Sequence, residues 1–418
     1  MRAGFAVWTV LAFLVAGCDL VTPGAPDPDT VLEGPLDDLT PQQRASFVAG
    51  DEAFGQVFGP ASGLGPIFVA QSCASCHVGD GKGHPSFNLT RFGRLRADGS
   101  FDPMRNEGGP QLQHRAILNY MAEVAPAGVT GVALFTAPSV SGLGFFEAVE
   151  DSLLLALADP DDLDRDGISG RVQLLAPSDL LAQVTHIDLL FEPGEPRRSL
   201  LIDGRYIGRF GKKASAINLL HQTVTAYRED MGITSDLIPE DPINPLVGPF
   251  SGDHVPDPEV PSSAVHNVVF YLKTLRPPPR RNADAPEVVA GETLFEQIRC
   301  GACHTPTMRT GPSRIAALDR KVFHAWSDLL LHDMGPELDD RYTEGSALTS
   351  EWRTAPLWGI GLAERSQGGV GYFLHDGRAR TLRDAIELHG GEGAASREAF
   401  RRLSPAEQEA ILAFLRSL

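Results

Sequence analysis

Cys73-Ala74-Ser75-Cys76-His77 and Cys300-Gly301-Ala302-Cys303-His304 are two copies of one pattern, Cys-x-x-Cys-His. Two thiols at this spacing, followed at once by an imidazole, read as a c-type haem attachment site. Each thiol adds to a haem vinyl group, and the adjacent histidine is held where its ring nitrogen binds the iron as proximal ligand. The rival readings are a structural zinc site and a thioredoxin-like redox pair. Zinc wants four clustered ligands, and each motif offers two thiols and one histidine. The pair therefore predicts two covalent haems per chain, held by Cys73, Cys76, Cys300 and Cys303, with His77 and His304 on the irons.

The fifth cysteine, Cys18, closes an N-terminal stretch of one positive charge, a short apolar run (Phe5 to Val15) and the small residues Ala16-Gly17. That order describes a secretory signal, and the run is too short to span a bilayer comfortably. Leu14-Val15-Ala16-Gly17-Cys18 resembles the bacterial lipoprotein cut site. Residues 1–17 would then be removed and Cys18 lipidated. The alternative is an ordinary signal peptide with a leftover thiol. The expectation is a periplasmic lipoprotein whose membrane contact is through lipid alone. Lys+Arg number 36 against 54 Asp+Glu, a net charge of −18. Such a surface repels nucleic acid and attracts basic protein partners.

Residues 18–38 are Pro- and Asp-rich with no helical period, which reads as a tether. Pro277-Pro278-Pro279 cannot continue a helix, so 277–286 is read as a linker. It divides a first haem domain, 39–276, from a second, 287–418. Ser262 to Leu275 has Val265, Val268, Val269 and Leu272 on one helical face. Ser404 and Glu407 form a capping box ahead of Ile411, Phe414, Leu415 and Leu418. The fold expected is mainly α: two cytochrome c-like haem domains with long irregular loops, the first carrying an insertion at about 140–260.

Reactivity depends on the face of each iron opposite its proximal histidine. Leu382, Ala385, Ile386 and His389 share one helical face, making His389 a candidate distal ligand of the second iron. A hydrogen-bonded core histidine is the alternative, and Met334 is the rival ligand. For the first iron Met104 is a candidate beside His84, His114 and Met231, and an iron with no side-chain ligand is equally open. Peroxide cleavage needs a group that moves a proton. Glu147 and Glu150 follow two phenylalanines, an apolar setting, and Glu147 is preferred; an exposed helix carboxylate is the alternative. Trp352 and Trp358 are candidates for an electron path, against plain core packing. Asp162, Asp164, Asp166 and Gly167 match positions 1, 3, 5 and 6 of a calcium loop, with Gln173 where the bidentate Glu would stand. A solvated acidic turn is the other reading.

Longer stretches carry a family resemblance. Cys73 to Gly83, Asp159 to Asp162 running on to Gly167-Ile168-Ser169-Gly170-Arg171, and Gly208-Arg209-Phe210-Gly211 are three of them. Asp230-Met231-Gly232-Ile233-Thr234, Leu331-His332-Asp333-Met334-Gly335 and Phe373-Leu374-His375-Asp376-Gly377-Arg378 complete the set. Together they resemble the dihaem oxidoreductase family, relatives of the bacterial dihaem cytochrome c peroxidases. The resemblance implies an enzyme that reduces hydrogen peroxide with electrons from a small redox protein, a c-type cytochrome or a cupredoxin. In those peroxidases a helix after a similar His-Asp-Gly stretch carries the distal Met, and His389 aligns with it. A pure electron carrier with both irons six-coordinate, and dioxygen chemistry on an organic substrate, are the other classes open.

Overall fold

The computed structural model describes residues 32–199, 201–248 and 255–418. The signal segment, Cys18 and most of the tether lie outside the described residues. Helix α1 (Pro41–Gly55) begins at a complete capping box, Thr40 with Gln43, and has Pro41 in its first turn. A single turn, α2 (Cys73–Cys76), carries the first motif. The longer helices that follow are α3 (Leu219–Met231), α4 (Ser262–Thr274) and α5 (Pro286–Gln297). The short α6 (Leu382–Glu387) and the terminal α7 (Pro405–Ser417) end the chain, the latter capped by Ser404 and Glu407 as its sequence requires.

The two motif-bearing parts repeat one plan. Helix α1 packs on α4, and α5 on α7. Each pair crosses at a glycine: a Cβ on Gly50 would lie 2.2 Å from the Asn267 carbonyl oxygen, and one on Gly291 1.9 Å from that of Ala410. One turn after each glycine stands a phenylalanine. Phe54 meets the His77 ring with centroids 6.0 Å apart, and Phe295 meets His304 at 6.2 Å.

The expectation of a mainly α fold is corrected by the strands: 36% of the structure is helical and 13% strand, spread over several small sheets. Strand β1 (Leu89–Leu95) lies between β2 (Phe101–Asp102) and β3 (Gly131–Phe135), with Phe92 opposite Val132. Strands β4 (Gln173–Leu175), β5 (Leu201–Ile202) and β6 (Arg205–Gly208) form a second sheet with β6 in the middle. Strand β7 (Leu331–Asp333) pairs with β8 (Glu351–Arg353), and a bridge from Arg171 to Leu331 ties it to the earlier chain. All these pairings are antiparallel. Most strands have two to four residues, too few to show an alternating pattern.

One apolar core gathers Phe47, Phe54, Phe146, Tyr227, Val265 and Leu272 together with Phe323, Leu329 and Trp358 from beyond the triple proline. A second unites Val288, Phe295, Trp326, Phe400, Ile411 and Phe414. Chain on both sides of 277–286 thus shares one core. No described helix is long and apolar enough to cross a membrane.

Candidate cofactor cavity

Ser72 caps α2 by accepting the Ser75 N–H at 3.1 Å, which turns Cys73 and Cys76 onto one side and leaves His77 at the helix end. His77 Nδ1 is 2.8 Å from the Pro138 carbonyl, so Nε2 is left for the cavity. The second motif enters through Arg299, whose φ of 68° starts a single 3-10 turn. His304 Nδ1 is 2.9 Å from the Trp326 carbonyl. A carbonyl on Nδ1 fixes ring orientation and tautomer, the usual support of a metal-bound histidine. Burial pulls both imidazoles down to about 4, the neutral form that binds metal. Burial likewise pushes the Cys73, Cys76 and Cys300 thiols up to about 12, and the Cys303 thiol up. All four cysteines are free of disulfides.

Both motifs open onto one cavity of about 490 Å³. His389 lies just past the end of α6, which stops at Glu387, earlier than the sequence suggests. Its Nδ1 is 2.7 Å from the Ala385 carbonyl, and its ring centre is 6.4 Å from that of His304. A metal–imidazole bond of about 2 Å, with about 1.1 Å from nitrogen to ring centre, would put two imidazoles on opposite sides of one iron about 6.2 Å apart. The gap between His304 and His389 therefore fits one iron. Met334 also lines the cavity and approaches Gly393, which His389 contacts too. Two motifs with free Nε2 atoms, paired thiols and this gap fit two c-type haems.

Among the described residues no second histidine ring meets His77 as His389 meets His304. Met104 is buried but does not line the cavity. His84 packs on Tyr372, its Nε2 3.1 Å from the hydroxyl. His114 is exposed. Met231 and His221 reach the cavity, but His221 is taken up by the Ile217 N–H and Gln183.

Glu147 does not reach the haem cavity. Its carboxylate accepts the Leu219 N–H at 2.8 Å, lies 3.4 Å from Lys273 Nζ, and lines a separate pocket. The charged groups that do line the main cavity come from distant parts of the chain, and no local spacing in the sequence brings them together. Arg91 holds Glu229 at 2.7 Å and Glu344 at 2.6 Å, and Gln111 donates to Asp230 at 2.7 Å. His332 lies between Asp328 at 2.8 Å and Glu392 at 2.7 Å, 3.5 Å from Cys303 Sγ. Burial pulls its imidazole down, but hydrogen bonds to Asp328, Cys303 and Glu392 outweigh that and push it up to about 12. Lys82, Lys212 and Arg353 line the same space.

Trp352 and Trp358 both line the cavity. Trp352 stacks on His375 at 3.6 Å, and Trp358 on Phe146 at 4.8 Å. The acidic loop brings together Asp159, Asp162 and Asp164, with carboxylate oxygens within 4.8 Å of one another. Asp166, the third residue of the expected set, is instead paired with Arg299 and accepts the Ile168 N–H.

The family model described as "Di-haem oxidoreductase, putative peroxidase" matches residues 127–418. A search of curated proteins gave no match. Hydrazine synthase from Kuenenia stuttgartiensis aligns with 14% identity and a TM-score of 0.38, over 100% of this chain and 99% of that one. A MauG-like protein associated with microbial copper homeostasis aligns with 14% identity and a TM-score of 0.29, over 65% of this chain and 90% of that one.

Proposed function

The chain belongs to the di-haem oxidoreductase family, and from that premise we propose that it reduces hydrogen peroxide to water. His77 would hold the reactive iron, and His304, with His389 facing it, would hold the iron that passes electrons on. The observation that carries this reading is the asymmetry of the cavity. His389 faces His304 across a gap of one iron, 6.4 Å between ring centres, whereas among the described residues His77 has only Phe54 in ring contact. A closed, six-coordinate iron suits electron transfer, and an open one suits oxidant binding.

When bound through Cys73, Cys76, Cys300 and Cys303, the haems supply the electrons and the metal at which the O–O bond breaks. The chain's own residues do the rest. Pro138 and Trp326 carbonyls orient the two proximal rings. Phe54 and Phe295 pack against those rings. Trp352 and Trp358, in the cavity wall, offer π systems for electron transfer. The donor is a small redox protein, a c-type cytochrome or cupredoxin, whose basic face suits the net charge of −18. Export and lipidation at Cys18 place the enzyme in the periplasm on a membrane, and calcium at the acidic loop steadies it.

Spectra of the oxidised and half-reduced protein test the reading. One high-spin and one low-spin haem, with peroxide consumed at the high-spin centre, is the expected result. Two low-spin haems in every redox state would make the protein an electron carrier instead.

A further inference from the structure

A second pocket, of about 400 Å³, lies apart from the haem cavity. The helical turn Leu143–Glu147 stands between the two spaces. Its Leu143 and Phe146 line the haem cavity, while Gly144 and Glu147 line this pocket. Among the described residues lining the pocket, five are Arg or Lys and three are Glu. The chain as a whole has 36 Lys and Arg against 54 Asp and Glu. The pocket thus reverses the charge balance of the molecule around it.

Lys273 Nζ takes two of the three glutamates, Glu192 at 2.7 Å and Glu147 at 3.4 Å. Arg197 meets Asp188 at 3.2 Å on the surface. Arg209 is 1% exposed. Its Nη1 donates to the Phe146 and Val149 carbonyls at 3.2 and 2.5 Å, and its Nη2 to Asp151. Arg198 Nη2 donates to the Pro312 carbonyl at 2.5 Å. The Nε atoms of Arg198 and Arg209 are both buried, and neither has a hydrogen-bond partner among the described residues. A buried N–H on a charged group is costly to leave unpaired, so each calls for an acceptor from outside the chain. Arg314 comes to the same side of the pocket as Arg198. A Cβ on Gly194, four residues before Arg198, would lie 2.2 Å from Arg314 Nη2, and Pro312, which Arg198 holds, is two residues before Arg314. Among the described residues neither arginine forms an ion pair, and Glu195 is the one lining carboxylate left to answer both. Neighbouring guanidinium groups repel, and an anion between them turns that repulsion into attraction.

We propose that this pocket is a binding site for a small organic anion, with Arg198 and Arg314 gripping its carboxylate or phosphate group and Arg209 donating from the buried side. The planar fork of a guanidinium matches the oxygens of either group. A volume of about 400 Å³ is that of a small-molecule site rather than of a bare ion. Phe191, Phe270 and Ile315 in the wall give the carbon part of such a ligand apolar cover. The site is independent of the peroxide chemistry and does not rest on it.

Titration calorimetry of the haem-loaded protein at low ionic strength tests this, with succinate and inorganic phosphate as the two probes. Wild type is compared with Arg198→Gln, Arg314→Gln and Arg402→Gln. At least one probe should bind at one site per chain, and Arg314→Gln should weaken it roughly 10-fold, the loss of one charge-assisted hydrogen bond. Arg198→Gln should do the same. Arg402 is exposed and lies outside the pocket, so Arg402→Gln removes the same charge and should keep wild-type affinity. Binding of succinate alone assigns the site to carboxylates, and of phosphate alone to phosphates. No heat from either probe up to about 10 mM would overturn the proposal, as would equal affinity in wild type and Arg314→Gln. An equal loss in Arg402→Gln would overturn it too, since overall charge would then be the cause. Arg314 is exposed, so its variant carries the test even where Arg198→Gln fails to fold.

Discussion

Replacing Gly291 by alanine should damage the second haem from a distance. The added Cβ would lie 1.9 Å from the Ala410 carbonyl oxygen and 2.5 Å from its carbon. Carbon and oxygen sit comfortably at about 3.3 Å or more, so α5 and α7 must part by about 1.4 Å. Alanine gains about 1 kcal/mol in helix propensity over glycine. Against that stands overpacking of about 1–3 kcal/mol, together with a loosened Phe295–Phe414 contact, now 5.2 Å between ring centres. Spread over a chain of 418 residues, a net loss of about 1–2 kcal/mol corresponds to a melting temperature lower by about 1–2 °C. Phe295 lies one turn beyond Gly291, so the same movement tilts the ring that backs His304. The assay is thermal melting of the haem-loaded protein by circular dichroism, with the Soret band followed in parallel. Gly55→Ala, at the end of α1 with nothing within 4 Å of the new Cβ, is the control and should be neutral or stabilising. If Gly291→Ala melts at or above wild type, the close helix crossing is wrong.

Other outcomes follow from the same geometry. His389→Ala should turn the second haem from low-spin to high-spin and raise its potential, since a lost donor ligand disfavours the ferric state; unaltered spectra and potentials would make Met334 the ligand to test. Haem stain after denaturing electrophoresis should show one haem each in Cys73→Ala/Cys76→Ala and Cys300→Ala/Cys303→Ala, and two in wild type. Chelator should lower the melting temperature if calcium binds at Asp159, Asp162 and Asp164, and Asp159→Asn should abolish that response while Asp166→Asn does not. His332, raised to about 12 by its two carboxylates despite burial, stabilises the fold fully below its unfolded value near 6.5. That contribution is lost as pH rises toward about 12, so chemical denaturation between pH 7 and 10 should show falling stability, and His332→Gln should flatten the slope.

Where the signal was local, the sequence was readable. The two motifs, the caps at Thr40 and Ser404, and the apolar faces of α4 and α7 each lie within a few turns of chain. The strands were not readable, because segments such as β4 and β8 have three residues and their partners lie about 30 or about 20 residues away. Glu147 misled because two preceding phenylalanines suggest burial but not its direction, which is toward Lys273. The acidic loop misled by spacing alone: Asp162 and Arg165 adopt left-handed conformations, φ 46° and 61°, and the chain turns Asp166 out to Arg299 and draws Asp159 in. One repeat is legible in the sequence itself. Ala49-Gly50-Asp51-Glu52-Ala53-Phe54 and Ala290-Gly291-Glu292-Thr293-Leu294-Phe295 encode the same helix crossing and the same ring behind each proximal histidine.

The cavity shared by the two motifs bears on how such a protein is made. Should the thiol turns stay unreacted, the chain would have to close around about 490 Å³ of unfilled space. The cavity opens to solvent, so water would enter it, and its largely apolar wall would stay wet where a cofactor would otherwise cover it. A chain that missed its cofactors would therefore stay open, with its cysteines reachable by the attachment machinery and its backbone reachable by proteases. Cofactor loading and stability are thereby coupled: whatever fills the shared cavity favours the closed chain over the open one.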